Sequence, residues 1–162
     1  MVVIVMKKIN KYFFFNLFLF HIIFFSFPNA NSSEKLNFLS LKNEQVNLRI
    51  GPSLEYPIKL IYKKKYLPVK ILDKSGPFRK IRDFENNTGW IHVALLTKKK
   101  SALNKKNNSI LFKKPTIYSK PIAKLETGRL VLINKCNLKW CKITSGNFNG
   151  WIDKNSLWGN VK

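Results

Sequence analysis

The chain has 162 residues, a length that accommodates one ordinary domain or two very small ones. Lysine and arginine outnumber aspartate and glutamate by 30 to 8, which gives a formal net charge of +22. Two interpretations of this excess stay open: a codon bias towards Lys, Asn, Ile and Phe, or a cationic surface that attracts anionic partners.

The chain opens on a targeting segment. Lysines at positions 7, 8 and 11 precede an apolar run from Tyr12 to Phe27, which small residues follow. A basic start, an apolar middle and a small-residue end are typical of a secretory signal peptide. We therefore expect residues 1–32 to be a signal peptide that is cleaved after Ala30 or Ser32. The alternative is an uncleaved anchor, but the run is shorter than the roughly 20 residues that span a bilayer as a helix.

Export determines which partners the chain meets. We expect a periplasmic or extracellular protein, with anchoring to the inner membrane as the alternative. Such a chain is not expected to bind nucleic acid. Its anionic neighbours are lipid headgroups and anionic surface polymers of the cell envelope.

Beyond about residue 40 the pattern is strand-like throughout. Short runs such as Val46–Ile50 and Val69–Leu72 alternate apolar with polar or basic residues. Turn-forming clusters such as Gly51–Ser53 and Ser75–Pro77 interrupt them. Short strands at regular spacing predict an all-β fold, either a sandwich or small barrels.

An internal repeat decides between these folds. The segments Phe78–Ile81 and Gly89–Ile91 recur roughly 60 residues later as Trp140–Ile143 and Gly150–Ile152. The repeat predicts two small barrels in tandem, which we expect to pack as a rigid pair with Trp158 at their junction. The predicted organisation is a signal peptide at 1–32, a first domain at 40–97, a basic linker at 98–109 and a second, diverged domain at 110–160.

The two cysteines, Cys136 and Cys141, are separated by four residues. An exported chain is in an oxidising compartment, and residues that flank a short hairpin loop lie opposite each other. We therefore favour a disulfide over free thiols or a metal site, which would need further Cys or His ligands.

The motif Val46-Asn47-Leu48-Arg49-Ile50-Gly51-Pro52, the strand Phe78–Ile81 and the segment Gly89–His92 resemble a bacterial SH3-like (SH3b) domain. The second unit resembles a diverged copy that lacks both the Arg and the Gly of this motif. The resemblance implies two SH3-like barrels and a non-catalytic binding module of the cell envelope, which recognises cell-wall peptide, peptidoglycan or an envelope protein. The alternative is a scaffold for another envelope protein, and a stand-alone wall hydrolase is less favoured.

The candidate ligand-binding residues lie in the first unit, where aromatic and basic side chains alternate. They are Arg49, Tyr56, Tyr62, Lys63, Lys64 and Lys65. We assign the residues of the repeated Gly-Trp-Ile segments, Gly89, Trp90, Gly150 and Trp151, to the structural core instead. For the glycines the expected reason is backbone geometry at a turn or bulge.

No catalytic constellation is present in the sequence. The residue types that would form a nucleophile with its base are not grouped, and His92 is the sole histidine outside the signal segment. We expect no enzyme activity, no metal and no cofactor.

Overall fold

The structure, a computed structural model, describes residues 38–161, and the expected signal segment lies outside them. The described residues form short β-strands joined by turns, with two 3₁₀ turns, Val93–Leu95 and Lys154–Ser156. Among these residues, no helix has the length and apolar character that crossing a membrane requires.

The first sheet contains seven strands. They are β1 (Phe38–Leu41), β2 (Val46–Arg49), β3 (Ile58–Tyr62), β4 (Pro68–Ser75), β5 (Phe78–Arg82), β6 (Thr88–His92) and β7 (Leu96–Thr97). Their order across the sheet is β3-β2-β6-β5-β4-β1-β7, and all recorded pairings are antiparallel.

The second sheet repeats this topology. Its strands are β8 (Ser101–Asn104), β9 (Ser109–Phe112), β10 (Pro121–Leu125), β11 (Leu130–Cys136), β12 (Trp140–Ser145), β13 (Phe148–Asp153) and β14 (Leu157–Gly159). Their order, β10-β9-β13-β12-β11-β8-β14, is that of the first sheet with seven added to each number. The predicted all-β fold of two small domains in tandem is confirmed.

Each barrel has its own apolar core, which the alternation along its strands produces. In β2, Val46 and Leu48 are buried while Asn47 and Arg49 are half-buried. The two cores consist of the following buried residues: Leu41, Val46, Leu48, Tyr62, Val69, Ile81, Ile91 and Leu96 in the first barrel, and Ala102, Leu111, Leu125, Val131, Ile133, Cys141, Ile143, Ile152 and Leu157 in the second.

The predicted linker is wrong over part of its length. Residues 98–100 are exposed, but Ser101–Asn104 form β8, and all four of its residues are buried. β8 pairs with β11 on one side and with β14 on the other, so it is an interior strand of the second barrel. At its polar end, Asn104 Nδ2 donates to Leu125 O and to Glu126 O, each at 2.9 Å.

The two barrels meet along β1, β8 and β14. Ser40 and Ser101, both fully buried, place their hydroxyl oxygens 2.6 Å apart. Ser101 Oγ also donates to Tyr66 O at 2.7 Å, across the junction. The Trp158 ring packs edge-on against two rings of the first barrel, Phe38 at 5.0 Å and Phe84 at 5.6 Å between centroids. The expected position of Trp158 at the junction is confirmed.

Trp158→Ala removes the ring that joins the barrels. A fully buried Trp costs about 3–5 kcal/mol on truncation, and we expect about 2 kcal/mol here because Trp158 is half-buried. Urea unfolding of the wild type should be a single transition, whereas that of Trp158→Ala should separate into two. Trp158→Phe is the control, since it keeps an aromatic ring. Two transitions in the wild type would contradict a rigid pair.

Candidate functional site

A disulfide closes the hairpin between β11 and β12. Cys136 and Cys141 lie opposite each other in the register with Cα atoms 4.0 Å apart, and the predicted bond is confirmed. The turn is held by Asn137, whose Oδ1 accepts from Lys139 N at 3.0 Å and Trp140 N at 2.6 Å. The hairpin tip is therefore fixed both covalently and by hydrogen bonds.

This hairpin forms one wall of a groove of about 610 Å³ on the second barrel. The β9–β10 loop supplies the opposite wall through Ile117 and Tyr118, whose side chains are 66% and 92% exposed. The full set of lining residues is Ile110, Phe112, Pro115, Thr116, Ile117, Tyr118, Lys139, Trp140, Ile152, Asp153, Asn155 and Ser156. An open groove with aromatic walls and a few polar groups is the usual form of a small-ligand or peptide site.

Two aromatic rings form the floor of this groove. Trp140 begins β12 and lies edge-on to Phe112 at the end of β9, with 5.7 Å between ring centroids. Charged groups of both signs lie at the rim, Lys139 on the hairpin and Asp153 at the end of β13. Asp153 Oδ1 accepts from Asn155 N at 2.8 Å, which caps the second 3₁₀ turn.

The first barrel has different residues at the same register positions. In the first barrel, Arg49 lies opposite Trp90 and Phe78 lies opposite His92. At the corresponding positions of the second barrel, Phe112 lies opposite Trp151 and Trp140 lies opposite Asp153. The His92 ring packs edge-on against Phe78 at 5.2 Å, and Phe78 is only 5% exposed. The ring that faces the groove in the second barrel is therefore covered in the first.

The Arg49 side chain braces the loop that follows it. Its Nη1 donates to Tyr56 O at 2.7 Å, and the Tyr56 ring lies over Gly51 so closely that a Cβ there would be 2.5 Å from ring atoms. Tyr56 is 45% exposed. Arg49 therefore has a structural role in this loop, and the face of Tyr56 that does not cover Gly51 stays a predicted ligand contact.

Tyr62 was expected to stack on ligand, and that expectation is wrong. The side chain is 7% exposed and belongs to the first core. Its hydroxyl donates to the buried carboxylate of Asp83, Oδ2, at 3.0 Å. Burial raises the pKa of Tyr62 far above its usual value, and the negative charge of Asp83 raises it further. The regular alternation along β3 points Tyr62 inward.

The lysines that follow Tyr62 are exposed. Lys63 and Lys64 line a second pocket of about 340 Å³, which includes Leu103 and Gly128 of the second barrel. Lys65 Nζ lies 5.2 Å from the centroid of the Tyr66 ring. The predicted basic-aromatic stretch thus divides between the core, the junction of the barrels and the solvent.

The repeated tryptophans are not core residues, contrary to expectation. Trp90 and Trp151 are half-buried, whereas Ile91 and Ile152 beside them are 0% and 1% exposed. Successive residues of a strand face opposite sides, so a buried Ile places its neighbouring Trp on the outer face. Lys135 Nζ lies over the Trp151 ring at 5.7 Å.

The repeated glycines are buried, as expected, but inside strands and not at turns. A Cβ on Gly89 would lie 2.7 Å from Arg49 O, and one on Gly150 would lie 2.7 Å from Phe112 O. At this position in both barrels, the neighbouring strand therefore approaches too closely for a side chain.

The described residues offer binding surfaces more than reactive groups. Within residues 38–161, no three His, Cys, Asp or Glu side chains come together as metal ligands would. His92 is half-buried at the end of β6, where Nδ1 accepts from Ala94 N at 3.2 Å. Both cysteines are in the disulfide.

The fold is that of two small β-barrels in tandem, and a family comparison makes this class specific. The model of the family described as "Bacterial SH3 domain" matches residues 42–98 and 105–159. These matches cover more than half of the sequence, and the chain belongs to the bacterial SH3 domain family. Among curated proteins, none matches significantly.

Several solved structures are similar to this chain in part. NlpC2 from Trichomonas vaginalis is 16% identical with a TM-score of 0.35, and the match covers 76% of this chain and 48% of that one. NlpC1 from the same organism is 16% identical with a TM-score of 0.36, covering 79% and 47%. An NlpC/P60 family protein from Bacillus cereus ATCC 10987 is 14% identical with a TM-score of 0.34, covering 75% and 56%. The chain spans about half the length of these proteins.

Tyr62→Phe tests the buried hydrogen bond to Asp83. A hydrogen bond to a charged group contributes about 1.5–3 kcal/mol, so we expect a loss of that size near neutral pH. Because the folded-state pKa is raised, the wild type keeps this stability below the unfolded pKa of 10.0 and loses it as the pH rises further. Above this pH, the difference in the free energy of unfolding between the wild type and Tyr62→Phe should shrink by about 1.4 kcal/mol per pH unit. Urea unfolding from neutral pH to about 11 measures it; a constant difference would contradict the assignment.

The double variant Cys136→Ser, Cys141→Ser removes the hairpin disulfide. The closed loop is short, so we expect a loss at the low end of about 2–4 kcal/mol. Thermal unfolding measures this loss. Alkylation of the native wild-type protein without reductant, followed by mass spectrometry, should modify no cysteine. Two alkylated thiols would show that the bond is absent in the native protein.

Proposed function

We propose that this protein is a non-catalytic binding module of the cell envelope that recognises cell-wall peptide through the groove of the second barrel. The observation that carries the proposal is a pair of aromatic side chains in that groove. Tyr118 is almost fully exposed on the loop wall, and the half-buried ring of Trp140, next to the hairpin disulfide, belongs to the floor. Bacterial SH3 domains are generally non-catalytic and commonly bind cell-wall material.

The groove is suited to an extended peptide. Aromatic side chains contribute large contact areas at low entropic cost, because each has only two side-chain torsions. Phe112 and Trp140 provide such a floor, while Lys139 and Asp153 supply one charge of each sign at the rim. Stem peptides of the wall carry both carboxylates and amines, which Lys139 and Asp153 can pair with.

The location we propose is the cell envelope. The basic, apolar and small-residue order of the first 32 residues supports export. The disulfide supports an oxidising compartment, either the periplasm or the outside of the cell.

A scaffold for another envelope protein is the second candidate, and a specific feature of the first barrel favours it. Large apolar side chains are exposed along β3 and the loop before it, namely Ile50, Leu54, Ile58 and Ile61. β3 is also the edge strand of its sheet. Exposed apolar edges are common sites of protein association.

Tyr118→Ala distinguishes the groove from the rest of the surface. Because Tyr118 is 92% exposed, its truncation should leave thermal stability unchanged. We expect binding to purified peptidoglycan to weaken by about 1 kcal/mol or more, a factor of about 5. Trp140→Ala should have at least the same effect. The matched control is Tyr56→Ala, which truncates the exposed tyrosine of the first barrel.

A pull-down on peptidoglycan at low salt and at about 1 M salt, where the Debye length falls to about 3 Å, measures this binding. Retention of the wild type and of Tyr56→Ala at high salt, with loss in Tyr118→Ala and Trp140→Ala, supports the groove. Loss of binding in Tyr56→Ala, with retention of Tyr118→Ala, would place the site in the first barrel, as the sequence alone predicted. Release of every protein at high salt would show that charge alone retains the chain and would contradict a shaped site.

A further inference from the structure

A cationic pocket of about 480 Å³ lies at the junction of the two barrels, apart from the groove. Residues of both barrels contribute to it: Phe38, Leu39, Ile71, Arg79, Lys98, Lys100 and Asn160. Its charged side chains are all basic, since none of the described residues that line it is Asp or Glu. Its volume is within the range of about 300–1,000 Å³ that ligand sites occupy.

The backbone of residues 98–100 fixes the two lysines of this pocket. Ser40 Oγ donates to Lys99 O at 2.7 Å, and Ile133 N donates to Lys100 O at 3.0 Å. The segment is thereby attached to both barrels. Lys98 and Lys100 line the pocket, and Lys99 between them does not. Lys100 has a further interaction of its own, so the pocket's cations for a ligand are principally Arg79 and Lys98.

Arg79 is held in place by its own hairpin. Its Nη1 donates to Gly76 O at 2.9 Å and to Phe78 O at 2.8 Å. Both hydrogen bonds use Nη1, so the hydrogens on Nε and Nη2 take no part in these two bonds. An oriented guanidinium binds phosphate oxygens through two parallel hydrogen bonds, which a lysine cannot do.

Part of the pocket lining is apolar. It consists of Phe38, Leu39 and Ile71, which are half-buried, and we call this part the floor. The position of Phe38 is fixed by its edge-on contact with Trp158. A pocket that combines basic side chains with an apolar floor is complementary to an anion that carries an apolar group, and an inorganic anion would leave the floor uncovered.

We propose that this pocket binds a phosphate ester with an apolar substituent, with the phosphate oxygens on Arg79 and Lys98 and the substituent on Phe38, Leu39 and Ile71. A phosphate monoester carries more charge than a carboxylate and three acceptor oxygens, and the phosphodiester of a phospholipid keeps two free oxygens, one for each of the two adjacent cations. Two sources share this chemistry, the headgroup region of a membrane phospholipid and a soluble phosphate ester.

The test compares two double variants of the full mature chain with equal net charge. Arg79→Gln with Lys98→Gln removes the two cations that we assign to the phosphate and keeps Lys100. Lys74→Gln with Lys99→Gln is the matched control, since both residues are exposed next to the pocket and do not line it. Because Lys74, Lys98 and Lys99 are exposed, the control and Lys98→Gln should keep the thermal midpoint of the wild type, whereas the pocket variant also loses the two hairpin hydrogen bonds of the half-buried Arg79. Lys98→Gln alone repeats the test without disturbing the Arg79 hairpin.

Equilibrium dialysis with octyl phosphate measures the binding. We expect the pocket variant to bind at least about tenfold more weakly than the wild type, and the control to bind as the wild type does. Inorganic phosphate should bind the wild type at least about tenfold more weakly than octyl phosphate. Equal losses in the two double variants would show that net charge alone attracts the ligand and would overturn the proposal. Equal binding of the two phosphates would overturn it as well, because the floor would then take no part.

Vesicles separate the two sources. Cosedimentation with phosphatidylcholine vesicles that contain phosphatidylglycerol, lost in the pocket variant and kept in the control, identifies a membrane phospholipid. If octyl phosphate binds as expected but the two variants cosediment equally with these vesicles, the ligand is a soluble ester.

Discussion

Barrels of this size bury a low fraction of their surface and are only marginally stable alone, and the junction between them adds stability. The Trp158 ring lies against two rings of the first barrel, and the buried hydroxyls of Ser40 and Ser101 meet beside it. Each hydroxyl oxygen also lies near a backbone carbonyl, that of Lys99 for Ser40 and that of Tyr66 for Ser101. The two hydroxyl hydrogens are therefore shared among three short contacts. Such a network is stable only where it is closed to water, so the polar contacts depend on the aromatic ones.

The duplicated backbone shows how one fold supports two different surfaces. Register positions are the same in both barrels, but Phe112 replaces Arg49 and Asp153 replaces His92. In the first barrel Arg49 braces a loop and His92 covers an aromatic ring. In the second barrel these contacts are absent, and the corresponding ring, that of Trp140, lines the groove. In the second barrel, the absence of the Arg and Gly motif thus accompanies an open groove, whereas the sequence alone predicted that this barrel had lost its binding surface.

The fold was predictable because alternation and repetition are visible along the chain, but side-chain roles depended on details that are not. The disulfide followed from spacing and compartment. β8 was missed because Ser101 and Asn104 are polar and lysines precede them, and only hydrogen bonds to distant carbonyls allow their burial. The outward direction of Trp90 could have been inferred from Ile91, since neighbours in a strand face opposite sides.

The groove escaped sequence reasoning for a different reason. Its walls come from a loop, a hairpin and a 3₁₀ turn that are separated in the chain and meet only in the barrel. The visible signal was the exposed loop pair Ile117 and Tyr118, which no strand pattern explains.

The junction also links the proposed phosphate pocket to the stability of the pair. Residues of β1, β5, the 98–100 segment and the end of the second barrel all line that pocket, so it exists only when the barrels are associated. A ligand that binds only the associated form stabilises it by mass action. Phe38 takes part in both features, because one side of its ring contacts Trp158 and the side chain also lines the pocket. Occupancy of the pocket and association of the barrels are therefore thermodynamically coupled, whereas the groove belongs to the second barrel alone.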